Sequence, residues 1–149
     1  MNASGPRGRR RGGRVMSESP YTAETHGFQV RVRPSYLPEQ SDPDEHRFVW
    51  AYRVEIENRG EETAQLISRH WVITDATGRV EEVQGLGVVG EQPTIRPGET
   101  YAYASGCPLA TTSGVMAGTY DMVTDGGAQF QIEIPPFSLD LPNMRRVVN

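Results

Sequence analysis

The stretch Phe48-Val49-Trp50-Ala51-Tyr52-Arg53-Val54-Glu55-Ile56-Glu57 sends Phe48, Trp50, Tyr52, Val54 and Ile56 to one side of an extended chain and Arg53, Glu55 and Glu57 to the other. Strict alternation is the period of a strand that buries one face and wets the other. Asn58-Arg59-Gly60, next in line, supplies a turn.

The same period recurs on both sides of this strand. Upstream, Phe28, Val30 and Val32 alternate with Gln29, Arg31 and Arg33. Downstream, residues 64–74 read as a strand with Ile67, Trp71 and Ile73 on one face and Leu66 and Val72 on the other. Asp75-Ala76-Thr77-Gly78 has the composition of a hairpin connection leading to a strand over 79–83. Tyr101 and Tyr103 mark a short strand, 120–124 another, and Asp125-Gly126-Gly127 turns the chain into 128–134. Pro135-Pro136 is expected to stop that last strand, because proline has no N–H to give to a ladder. No window carries apolar residues at i, i+3, i+4 and i+7 through three turns, and sixteen glycines and eleven prolines speak against helix. The pattern predicts an all-β protein: an antiparallel β-sandwich of the immunoglobulin or fibronectin type III kind with about seven or more strands and almost no helix. A closed barrel is the alternative.

The chain has 149 residues, 36% hydrophobic and 23% charged, which fits one domain with a modest core, read here as residues 27–142 with a tail at 143–149. All fifteen basic residues are arginine, and the net charge of −4 is unevenly spread. Residues 1–16 hold Arg7, Arg9, Arg10, Arg11 and Arg14 and no acid, giving +5. The other ten arginines face nineteen acidic residues, giving −9 and excluding a uniformly basic nucleic-acid-binding body. The glycine- and arginine-rich segment 1–16 is expected to be disordered. It is read either as an extension ahead of a true start at Met16 or, if genuine, as an electrostatic arm for nucleic acid. A lone cysteine, Cys107, excludes an intramolecular disulfide, and no apolar run approaches the roughly 18 residues of a membrane span. A cytoplasmic setting is expected.

Four blocks bear a resemblance to a known family: Tyr36-Leu37-Pro38-Glu39-Gln40-Ser41-Asp42-Pro43, Ser68-Arg69-His70-Trp71-Val72-Ile73-Thr74-Asp75, Gly85-Leu86-Gly87-Val88-Val89-Gly90-Glu91-Gln92-Pro93, and Pro97-Gly98-Glu99 with Ser105-Gly106-Cys107-Pro108-Leu109. In this order, and over roughly residues 27–142, they closely resemble the bacterial ApaG family. The resemblance implies a fibronectin-type-III-like sandwich, a genetic association with cobalt tolerance and magnesium efflux, and a genomic neighbour that is a diadenosine tetraphosphatase. Reuse of the same domain in eukaryotic F-box proteins implies a module that recruits protein partners.

Candidate sites follow from residue chemistry. Gly85, Gly87 and Gly90 match G-x-G-x-x-G, but Glu91-Gln92-Pro93 follows where a dinucleotide fingerprint needs a helix. The segment is read mainly as a tight connection between two sheets, and alternatively as a backbone nest for pyrophosphate or a nucleoside polyphosphate. Arg69 is placed on the inward face with Trp71, where a guanidinium needs a partner. It is expected to pair with a carboxylate such as Asp75, or else to line an anion site beside the glycine loop. Asp42, Asp44 and Glu45, with Glu39 close by, offer oxygen ligands for magnesium or cobalt without the order of a calcium loop, so no firm metal site is read. His70 is read as structural or exposed. Ser105 and Cys107 lack the surroundings of a nucleophile, so neither a catalytic residue nor a cofactor is assigned. The composite reading is a non-enzymatic protein–protein interaction module associated with divalent-cation homeostasis. The alternative is a sensor of pyrophosphate or nucleoside polyphosphates through the 85–90 loop.

Overall fold

A computed structural model describes residues 19–142; the expectations for 1–16 and 143–149 lie outside the described residues. The strands are β1 (Tyr21–Thr25), β2 (Phe28–Tyr36), β3 (Phe48–Asn58), β4 (Ala64–Asp75), β5 (Val80–Leu86), β6 (Thr94–Ile95), β7 (Thr100–Leu109), β8 (Ser113–Thr124) and β9 (Gln129–Asp140). They form two antiparallel sheets, one ordered β1-β2-β3-β7 and the other β5-β4-β8-β9 with β6 beside β4. Two separate sheets make a sandwich, not the alternative closed barrel. Two single-turn 3-10 segments, Pro38–Gln40 and Pro43–Glu45, interrupt the link from β2 to β3.

The opening stretch is the centre of the first sheet. Phe48, Trp50, Tyr52, Val54 and Ile56 are all buried against the second sheet, each contributing roughly 1.5–3 kcal/mol of apolar burial. The Trp50 indole N–H crosses the core to donate to the Asp140 carbonyl at 2.9 Å. On the outer face, Arg31 bridges Glu55 and Glu57 at 3.1 and 2.8 Å. At the crossover between sheets Asn58 is fully buried and hydrogen-bonded through both its amide nitrogen and its carbonyl oxygen. Its amide donates to the Glu62 and Ile95 carbonyls, and its Oδ1 accepts from Gly60 N–H.

Three expectations about strands are corrected. β9 does not stop at Pro135-Pro136: pairing steps from Gly118↔Ile134 to Met116↔Phe137, so the two prolines face Ala117 alone in a bulge on an edge strand, where no ladder N–H is required of them. The inward face of β4 is also not continuous. Pairing jumps from Leu66↔Met122 to Ser68↔Asp121, leaving Ile67 as the extra residue. The bulge brings Leu66 onto the core side with Trp71 and removes Ile67 from it. Finally, β1 precedes the expected boundary at residue 27, joined to β2 by a two-residue turn in which His26 and Gly27 both take positive φ, 52° and 82°.

The two long sides of the sandwich differ. On one, β1 and β2 pack against β9, with Phe28 on Phe130, Tyr21 near Phe137, and Glu133 N–H donating to Thr25 Oγ1. On the other, β5 and β7 each have one strand neighbour, and no strand lies between them among the described residues.

Candidate functional site

The gap between the β5 and β7 edges is a cleft of about 350 Å³, within the size range of ligand sites. β4 contributes Arg69 and Trp71, β5 contributes Val83 and Glu81, and β7 contributes Ser105 and Cys107. The sheet registers arrange them in order. Arg69 pairs with Gly85, Trp71 with Val83 and Ile73 with Glu81, so a cation, an apolar wall and an anion succeed one another along the cleft. Opposite them, β7 turns Tyr103, Ser105 and Cys107 inward while Ala102, Ala104 and Gly106 stay exposed.

Arg69 does not pair with Asp75, as the sequence suggested. Asp75 caps its own hairpin, accepting from Thr77 and from Arg79 N–H, and these bonds hold its carboxyl below the usual range. Arg69 Nη1 instead donates to the carbonyls of Leu86 and Gly87, at 3.1 and 2.9 Å. Its guanidinium lies against Gly85, where an added Cβ would come within 2.8 Å of Nη1. Among the described residues Arg69 has no carboxylate partner.

The glycine loop joins β5 to β6 inside one sheet and is not a link between sheets. Two of its amides and that of the next residue are already engaged: Gly87 donates to Ile67 O, Val88 to Glu91 O and Glu91 to Val88 O. Gly87 takes φ 64°, and a Cβ there would collide with the Glu91 carbonyl. Gly90 also takes positive φ, and so does Val89, at 41°, which is costly for a β-branched residue. The loop thus brings Gly85, Gly87 and Arg69 together through carbonyls facing the guanidinium. Leu86 and Val89 are left exposed on its tip.

Beneath the cleft the hydroxyl of Tyr103, which lines it, shares a 2.5 Å hydrogen bond with the core residue Tyr120, and burial pushes both phenols well above their ordinary range. Burial raises Tyr52 too, partly offset by the Ser105 hydroxyl and the Arg69 charge. At the loop end, Tyr101 donates to Glu91 Oε1 at 2.8 Å and is pushed up to about 12, by burial first and then by that carboxylate. Burial raises the Cys107 thiol to about 11, with Glu81 adding to it, which leaves almost no thiolate at neutral pH.

The acidic candidates stand apart from the cleft. Asp42, Asp44 and Glu45 lie exposed on and beside the second 3-10 turn, and Glu39 lies in the first. Among the described residues no group of three or more His, Cys, Asp or Glu side chains is placed to hold a metal ion. His70 lies beside Glu82, with Nε2 2.9 Å from Oε1. No helix among the described residues is long and apolar enough to cross a membrane. Sequence reasoning missed Tyr52, Glu81, Ser105 and Cys107 as walls of one cleft. The available signal was alternation across 100–109, with a polar Ser105 at an inward position.

Comparison with known proteins agrees on the family. A family model described as the ApaG domain matches residues 38–124. Proteins called Protein ApaG from Brucella canis and Brucella anthropi are 60% and 58% identical over 129 residues, spanning 87% of this chain and 99% of each relative. A Bordetella pertussis crystal structure described as ApaA superposes with a TM-score of 0.75 at 50% identity, covering 84% of this chain and 98% of that one.

Proposed function

The chain belongs to the ApaG domain family, and we propose that it is a non-enzymatic interaction module that binds a partner by accepting an extended segment of it beside β7. One observation carries this reading: among the described residues, of the four sheet edges β7 is the one left unguarded. β1 is five residues long and packs against β9, and β9 carries the Pro135-Pro136 bulge. β5 presents Glu81 and Glu82. β7 runs for ten residues without a charge, with a proline only next to its end. Edge strands left long and uncharged offer a row of unpaired backbone groups to another chain, and natural proteins blunt them when they are not used. A strand added to β7 would also turn alternate side chains into the cleft, filling the space that the closed side fills with its own residues.

Engagement of the Arg69 Nη1 by the Leu86 and Gly87 carbonyls, of Gly87 N–H by Ile67 O, and of Val88 and Glu91 N–H by each other's carbonyls supports a structural role for the 85–90 loop, as one end of this cleft. The cobalt and magnesium association implied by the family resemblance is then a property of the partner. The test is selection of extended peptides from a displayed random library on the full chain, repeated with Ser105→Lys, which places a charge in the cleft mouth. Peptides captured by the wild-type chain and lost with Ser105→Lys, at unchanged strand content, are the expected result. Peptides retained undiminished by Ser105→Lys would contradict strand addition at β7.

A further inference from the structure

We propose that the cleft reads the partner segment through three successive inward positions, taking an acidic side chain on Arg69, an apolar one against Trp71 and Val83, and a basic one beside Glu81. The inference rests on strand addition at β7 and specifies what kind of strand is taken. The order comes from the β4–β5 register, in which the rungs Arg69/Gly85, Trp71/Val83 and Ile73/Glu81 succeed one another at every second residue. A strand lying beside β7 has the same period, so its residues i, i+2 and i+4 meet these rungs in turn. The partner pattern is therefore acidic-x-apolar-x-basic, or its reverse for the opposite chain direction.

Charge complementarity identifies the first contact. A guanidinium has five N–H donors, and Arg69 commits only Nη1, to the Leu86 and Gly87 carbonyls. Those two bonds and the Gly85 surface fix the plane of the group and leave Nε and Nη2 without an acceptor among the described residues. That remaining side of the fork is the one that takes a carboxylate through two parallel hydrogen bonds. Trp71 and Val83 form the apolar middle, beside Cys107. Glu81 disfavours a second acid at the far end, so the same three rungs select a partner and reject its charge-reversed relatives.

The probe is the blocked nonapeptide acetyl-KTETVTKTK-amide, with Glu, Val and Lys at its third, fifth and seventh positions, compared with the version carrying Gln for Glu. Binding is followed by amide chemical shifts and by hydrogen-exchange protection of β7. The Glu peptide is expected to bind at least about tenfold more tightly than the Gln peptide. That preference should shrink below about twofold in Arg69→Gln and persist in part in Arg69→Lys, which retains the charge. Replacing the Lys at the seventh position by Glu should weaken binding severalfold, and Glu81→Gln should restore it. If both peptides protect β7 equally, the three-position readout is wrong and strand addition stands. If neither protects β7 up to millimolar concentration, both readings fall.

Discussion

The β1/β9 side and the β5/β7 side of this sandwich are built from similar strands but finished differently. Along the first, Phe28, Phe130, Tyr21 and Phe137 meet across the gap, and β1 and β2 cover β9. Along the second, the inward positions hold Arg69, Ser105, Cys107 and Glu81, and no strand among the described residues fills the gap. A side closed by aromatic packing contributes stability; in the proposed function, a side lined by alternating charge, hydroxyl and apolar groups is the one that a partner segment fills. Under that proposal the difference is that between a protein's own core and one completed by another chain.

Substitutions on the two sides should therefore have unequal effects on stability. Phe137→Ala, which removes a buried ring in contact with Tyr52, Trp71 and Tyr21, should cost about 3–5 kcal/mol. By thermal unfolding that is a drop of roughly 10–15 °C. Val83→Ala on the open side should cost about 1 kcal/mol or less. Comparable losses at the two positions would erase the distinction drawn between them.

The buried phenols at the base of the cleft come next. Tyr120→Phe leaves the Tyr103 hydroxyl without its partner and should cost about 1–3 kcal/mol by denaturant titration. Folding raises both phenols above their unfolded value near 10, so the neutral forms are the ones the fold favours. Their contribution is fully present below about pH 10 and is lost as pH rises toward the folded values. Stability should be flat from neutrality to pH 9.5 and fall above it, with a shallower fall in Tyr103→Phe. The carboxylates have the opposite sign. Glu55 is held low by Arg31 and Asp121 by Ser68 and Gln131, so their contributions are present above the ordinary carboxylate range and lost as pH falls below it.

Smaller effects sharpen the view of the open side. Cys107, with its thiol raised to about 11, should react with iodoacetamide at pH 7.5 at least tenfold more slowly than in the unfolded chain. A bound strand should slow the reaction further. Gly85→Ala should change stability by about 1 kcal/mol or less, since the flexible Arg69 side chain can move away. It should nevertheless abolish the preference for an acidic peptide, because the guanidinium loses its fixed plane.

Legibility in the sequence followed the same division. β2, β3 and the two hairpin turns could be read because one face is buried along their whole length and alternation survives. β1 could not: Tyr21-Thr22-Ala23-Glu24-Thr25 is exposed or half-buried throughout, and its turn uses His26-Gly27, which lacks the usual asparagine or aspartate signal. The bulges at Ile67 and at Pro135-Pro136 are decided by pairing with β8, a tertiary fact that alternation along one strand does not contain. Arg69 was recognised as an inward cation, but its partners were not, because Gly85 receives it only once β4 and β5 are in register. Only Tyr101 and Tyr103 marked β7, since the inward Ser105 facing the cleft broke the apolar pattern.

Residue-resolved hydrogen exchange on the full chain, with and without the Glu-Val-Lys nonapeptide, tests strand addition most directly. Free protein should exchange rapidly at alternate β7 amides, those turned away from β3. Adding peptide should slow those same amides and leave β1 and β9 unchanged. Protection appearing on the β1/β9 side, or binding that leaves every β7 amide as fast as before, would contradict it.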